Sequence, residues 1–368
     1  MKALGKASLN PETLTSMLRH GGATSDSTVT HVETAAIGAG LIGDTYRCEL
    51  TYDRAEPRAP GSLVAKVTSA SEVSRRTGLV RRAYEREIRF YQHLADTLPL
   101  RTPHCFFADI DVTDGDFVLL LEDLTPASSV DQFSGFTADH ADTALAALGG
   151  LHAPHWGSGF LRELDWLHGV RATMYVESAR LMPTRVDPFV ERFGDRLEPE
   201  WIELIRRFQP HMTRFLVEQP GPWSVQHADL RPDNMLFDAK AGAEPLVVLD
   251  WQSVSHGPPL VDAAYLLGTS LDTELRRKHE RDLLHTYHEG LLAQGVTGYS
   301  WDDCWRDYRR YSYHALCSSI NISGMVKQTE RGDRMFLTML RRTCAQIADL
   351  EADRLIDRDG VSTERNHP

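Results

Sequence analysis

The sequence predicts an α+β protein of two lobes, a β-rich front and a mainly helical back. Three observations carry this. Residues 23 to 70 hold short runs of β-branched and aromatic residues between Gly/Pro-rich breaks. From Thr137 onward the apolar residues fall at helical spacing. Short apolar runs then return at residues 224 to 250, inside the helical part. The boundary is expected at residues 122 to 128, so that 1–121 form the first lobe and 129–368 the second.

Along the chain, Asn10-Pro11-Glu12 reads as a helix start: an N-cap, a proline at the first helical position, then an acid. Gly21-Gly22 ends that helix. Strands are expected near Thr28 to Ala36, Thr45 to Tyr52 and Ser62 to Thr68, followed by one helix over 75–95. Phe106 to Ile110 and Phe117 to Leu121 read as a hairpin closed by Thr113-Asp114-Gly115. Helices are expected over 138–152, 160–180, 187–193 and 198–218, and again from Pro259 to about Leu355.

Composition narrows the functional classes. A net charge of -12, from 40 Lys+Arg against 52 Asp+Glu spread along 368 residues, excludes a typical nucleic-acid binder, which needs clustered cations. The five cysteines are odd in number and lack CxxC spacing, which fits buried thiols in a reducing compartment. The first twenty residues lack the apolar core of a signal peptide, and the longest apolar runs are too short to span a bilayer. The expectation is a cytoplasmic protein with neither nucleic-acid nor membrane partners.

Five features in one order point to chemistry. The first is Gly38-x-Gly40-x-x-Gly43, followed by Asp-Thr-Tyr-Arg-Cys-Glu-Leu. A dinucleotide fingerprint needs a helix directly after its glycines. Here a strand is expected, so a strand-loop-strand clamp over nucleotide phosphates fits better. The second is Lys66 in the apolar run Leu63-Val64-Ala65-Lys66-Val67; an ammonium in such a strand needs an anionic partner. The third is a glutamate on the next helix, Glu87 in preference to Glu85, because Phe90 and Tyr91 would turn the Glu87 side inward.

The fourth is HxDxxxxN in His227-Ala228-Asp229-Leu230-Arg231-Pro232-Asp233-Asn234, between two apolar runs. An aspartate there can accept the proton of an attacking hydroxyl, and an asparagine five positions on can offer its oxygen to Mg²⁺. The fifth is Asp250, at the end of the apolar strand Leu246 to Leu249, suited to be a second Mg²⁺ ligand. Asp229 is thus the expected catalytic base and Asn234 and Asp250 the expected metal ligands.

These stretches resemble the aminoglycoside phosphotransferase/choline kinase-like superfamily, closest in pattern to its ecdysteroid-kinase-like (CHK-type) branch. The matching segments are EIRFYQHL (87–94), FVLLLEDL (117–124), ALGGLHAPHW (147–156), VQHADLRPDNMLFD (225–238) and VVLDWQSVSHGPPLVDAAYLL (247–267). The resemblance implies a two-lobed protein-kinase-like fold using ATP and Mg²⁺. It implies that Gly38, Gly40, Gly43, Lys66 and Glu87 handle the nucleotide, with Glu122 to Leu124 as the hinge that reads the adenine edge. It also implies that Asp262, together with His227, supports the catalytic loop. The departures from protein kinases are Ala228 in place of the HRD arginine, Asp250-Trp251-Gln252 in place of DFG, and no APE after His256-Gly257-Pro258-Pro259. The interval is too short for a phosphorylatable activation segment, so the expected acceptor is a small hydroxylated molecule. A non-catalytic nucleotide-binding or sensor module of the same fold is the alternative.

Two further groups are weighed. The pairs His152/His155 and His285/His288 lack a third ligand and are expected to be surface or capping residues. Trp301, Trp305, Tyr308, Tyr311 and Tyr313 are expected to pack in the core, with an acceptor-pocket wall as the alternative.

Overall fold

A computed structural model of the chain describes residues 6–38, 42–167, 172–326 and 328–358. Gly40 lies outside the described residues. In chain order the elements are α1 (Pro11–His20), β1 (Val29–Ala36), β2 (Gly43–Tyr52), β3 (Ser62–Thr68), α2 (Glu72–Val80), α3 (Ala83–His93), β4 (Cys105–Asp111), β5 (Asp116–Glu122), β6 (Ser128–Ser129) and α4 (Ala138–His152). There follow α5 (Thr173–Leu181), α6 (Val186–Phe193), α7 (Pro199–Phe208), α8 (Met212–Val217), β7 (Ser224–Gln226), β8 (Met235–Asp238), the single turn α9 (Ala239–Gly242), β9 (Glu244–Val248) and β10 (Ser255–Gly257). The chain then continues through α10 (Leu260–Ser270), α11 (Thr273–Ala293), α12 (Trp301–Tyr311), α13 (Tyr313–Ser323), α14 (Glu330–Asp349) and α15 (Asp353–Arg358). Two compact units result. One is the chain up to Ser128 together with Leu236–Val254; the other is Ser129–Met235 together with the chain from Ser255 on.

The first unit is built on an antiparallel five-stranded sheet in the order β1-β2-β3-β5-β4. Strand alternation sorts the side chains of β3. Leu63, Ala65 and Val67 are fully buried in a core with Cys48, Val118, Leu120 and the α1 residues Leu14, Met17 and Leu18. Val64 and Lys66 therefore occupy the opposite face. Burying each large aliphatic side chain in this core stabilises by about 1.5–3 kcal/mol. α1 is capped as its sequence predicts: Asn10 accepts the Thr13 N–H at 3.0 Å, and Pro11 opens the helix. Gly21 ends it at a close approach, since a Cβ there would lie 1.7 Å from the Phe106 carbonyl oxygen.

The helix expected over 75–95 is two helices. Arg82 adopts a left-handed conformation (φ 52°) and separates α2 from α3. The fold-back sets the Tyr84 ring against Gly78, where a Cβ would fall 2.3 Å from it. The expected hairpin forms as β4 and β5, with Gly115 at φ +70° and the Asp111 carboxylate accepting the Thr113 N–H.

The second unit is helical around α10, every residue of which is buried. It packs against α4, α11, α12, α13 and α14. Two small strands, β7 and β10, pair antiparallel with Gln226 opposite Ser255. The expected run 198–218 breaks at Pro210 into α7 and α8. Among the described residues of 160–180, the α-helix is that of Thr173–Leu181; Phe160–Arg162 and Asp165–Leu167 are single 3₁₀ turns. Among the described residues no helix is long and apolar enough to cross a membrane.

Candidate active site

In the first unit, Gly38 (φ +70°) lies just beyond β1 and Gly43 opens β2, the antiparallel partner of β1. Gly38 and Gly43 thus stand at the facing ends of two antiparallel strands, and a strand rather than a helix follows Gly43. β3 sets Lys66 opposite Thr45 on β2 and Leu119 on β5. Its Nζ lies 2.5 Å from Glu87 Oε1 and 3.4 Å from Asp250 Oδ1. Burial disfavours the ammonium, but the Asp250 and Glu87 carboxylates outweigh it and hold Lys66 above the ordinary lysine range. Glu85 instead pairs with Arg82 at 2.7 Å, so Glu87 is the lysine's partner.

Glu87 is 1% exposed, and its second oxygen accepts from Gln252 Nε2 at 3.4 Å. Asp250 ends the apolar strand in a left-handed conformation (φ 62°). The next residue, Trp251, is fully buried and stacks on Phe90 of α3, ring centroids 3.8 Å apart and nearly parallel. That stack fastens the Asp250 turn to the helix that carries Glu87. The segment Glu122 to Leu124 is held at several points: Glu122 pairs with Arg101 at 2.8 Å, Asp123 with Arg47 at 2.9 Å, and the Leu124 carbonyl accepts the Lys240 N–H at 3.3 Å. A cavity of about 700 Å³ opens beside this segment, lined by Arg47, Glu49, Ser62, Asp123 and Lys240 among others. Neither Lys66 nor Asp250 lines it.

In the second unit, the loop after β7 carries the expected base. Asp262, fully buried on α10, accepts the backbone N–H groups of His227 and Ala228, both at 2.7 Å. Burial opposes its charge, but bonding and charge from His152 and His227 outweigh burial and keep its carboxyl below the usual range. His152 Nε2 lies 3.2 Å from Asp262, and His152 Nδ1 is 2.8 Å from the Tyr287 hydroxyl. His152 is therefore a core residue that braces the loop, not the surface or capping residue expected of it. Ala228 is left-handed (φ 63°), a conformation uncommon for a residue with a Cβ.

Asn234 Nδ2 donates to the Asp229 backbone carbonyl at 2.8 Å and lies 3.3 Å from Asp229 Oδ2. With the amide nitrogen so engaged, Asn234 Oδ1 is the end of the side chain that could serve as a metal ligand. Among the described residues no group of three or more His, Cys, Asp or Glu is placed to hold a metal ion. A lone carboxylate plus an amide oxygen fits Mg²⁺, which takes most of its ligands from phosphates and water.

Asp229 has partners that the sequence reading missed. The Tyr265 hydroxyl donates to its Oδ1 at 2.9 Å, and Arg231 Nε lies 3.5 Å from the same oxygen. Arg231 was within the quoted loop, and Tyr265 follows Asp262 by one helical turn on the same face. Both signals were therefore present. Of the aromatic helix residues, Tyr308, Tyr311 and Tyr313 are buried, while Trp301 and Trp305 are partly exposed. Trp301 stacks on His285 at 3.5 Å.

A lysine–glutamate pair beside an aspartate, and an interlocked Asp–Asn loop, are features of the kinase-like phosphotransferase class. The chain belongs to the ecdysteroid kinase-like family, whose family model matches residues 38–295. Solved structures share its fold. An ethanolamine kinase from Plasmodium vivax is 12% identical, with 89% of this chain and 86% of that one covered and a TM-score of 0.52. The GDP complex of wild-type aminoglycoside 2'-phosphotransferase-IIIa is 16% identical, with 91% and 99% covered and a TM-score of 0.52. No curated protein matches the chain.

Proposed function

We propose that the protein is an ATP- and Mg²⁺-dependent phosphotransferase that phosphorylates a hydroxyl of a small molecule. The observation that carries this reading is the Asp229–Asn234 interlock: one loop offers a carboxylate to an attacking hydroxyl and an amide oxygen to a cation. Family membership, the fold shared with small-molecule kinases, and the Lys66–Glu87 pair support it.

In this reading, Lys66 donates to the nucleotide phosphates while Glu87 fixes its position. The Gly38–Gly43 loop covers the phosphates, and the backbone of Glu122 to Leu124 meets the adenine edge. Asn234 and Asp250 hold Mg²⁺, which when bound neutralises charge on the phosphates. Asp229 orients the acceptor hydroxyl and takes its proton as the oxygen bonds to the γ-phosphorus; the bond to the β–γ bridging oxygen breaks and ADP leaves. His227 and Asp262 hold the loop that aims Asp229. The five free cysteines fit a reducing, cytoplasmic setting.

An ADP-release screen with Mg-ATP tests the reading across aminoglycosides, choline, ethanolamine, sugars, macrolides and hydroxysteroids. ADP above the acceptor-free level, lost on Mg²⁺ chelation, is expected for at least one class. Failure of the protein to bind Mg-ATP at millimolar nucleotide would contradict it.

A further inference from the structure

The two oxygens of Asp229 have different surroundings within the second unit. A carboxylate can only accept, so the Tyr265 hydroxyl, 2.9 Å from Oδ1, must be the donor. Burial, then the Asp229 charge, pushes the Tyr265 phenol well above its ordinary range, so it keeps its proton. Arg231 Nε approaches the same Oδ1, at 3.5 Å. Against this, among the described residues, Oδ2 has one long contact, Asn234 Nδ2 at 3.3 Å, and that group is already committed to the Asp229 carbonyl at 2.8 Å.

The His314 ring on α13 stands edge-on to that of Tyr265, with centroids 6.1 Å apart. Left-handed Ala228 is tied at its N–H by Asp262. A strained non-glycine residue persists only when its surroundings over-determine it.

We propose that Tyr265 is a positioning residue that occupies Asp229 Oδ1 and so leaves Oδ2 to take the acceptor's proton. The inference rests on the phosphotransferase reading. It goes beyond it by assigning the reacting oxygen and a residue that never touches substrate.

The test is a double-mutant cycle on the full chain, reading ADP release with Mg-ATP, with water as acceptor and with the best acceptor of the screen. Tyr265→Phe is expected to lower kcat by ~10–100-fold with KM for ATP unchanged, since small misplacement of a reacting group costs on that order. In an Asp229→Asn background, Tyr265→Phe should cost less than about twofold further, because residues acting through one carboxylate are not additive. Melting temperatures with Mg-ATP distinguish misfolding from mispositioning. Full turnover in Tyr265→Phe, or a loss that persists undiminished in the Asp229→Asn background, overturns this inference alone. A wild type that forms no ADP, or an Asp229→Asn variant with undiminished turnover, overturns the phosphotransferase reading and this inference with it.

Discussion

Lys66 carries three N–H donors, and the geometry directs them at Glu87 and Asp250. Removing the ammonium leaves a nearly inaccessible Glu87 facing the charge of Asp250. Lys66→Met is therefore expected to lower stability by about 3–5 kcal/mol near pH 8, the cost of breaking a buried ion pair. The sign with pH follows from burial, which raises the Glu87 pKa. Without the lysine, the folded state favours the protonated carboxyl, so the deficit relative to wild type should narrow as pH falls towards 5. Urea unfolding at the two pH values checks this. The lysine was legible because a charge inside an apolar strand requires a partner. Tyr265 and His152 were not read as partners, because their contacts with Asp229 and Asp262 join positions far apart in sequence that tertiary packing brings together; Arg231 lies in the quoted loop, two residues from Asp229.

At the scale of elements, α1 was legible nearly residue by residue, because its cap, its proline and its terminal glycines are local signals. The α2–α3 break was not, because the left-handed Arg82 and the Tyr84–Gly78 contact are imposed by packing. Gly78→Ala is expected to cost about 1–3 kcal/mol, the usual penalty of overpacking. Tyr84 cannot yield readily, since it is 1% exposed and its hydroxyl donates to the Ile42 carbonyl at 2.6 Å. Chemical denaturation monitored by far-UV circular dichroism measures the loss.

The turn between α1 and β1 adds a pH-dependent element. Glu56 accepts the N–H groups of Ser25, Asp26 and Ser27 at 2.6–2.8 Å, which lowers its carboxyl to about 2. A depressed folded pKa contributes stability that is present above about 4.5 and lost as pH falls towards 2. Glu56→Gln should therefore lower the thermal midpoint at pH 7, and the gap from wild type should close across that window.

Over the whole molecule, the change from β-rich to helical sequence was legible because strand and helix periods differ. Less legible was the allegiance of Leu236–Val254, which groups with the first unit although it follows the Asp229–Asn234 loop directly in sequence. The Trp251–Phe90 stack and the Lys240–Leu124 hydrogen bond account for that grouping, and neither is a local signal. The proposed phosphoryl transfer rests on Asp229 as its base. Its most direct test is single-turnover transfer of the γ-phosphoryl group from Mg-ATP, comparing wild type with Asp229→Asn. The account predicts nucleotide affinity within about twofold of wild type, with a rate of transfer lower by ~10²–10⁴. Transfer by Asp229→Asn at the wild-type rate would contradict it.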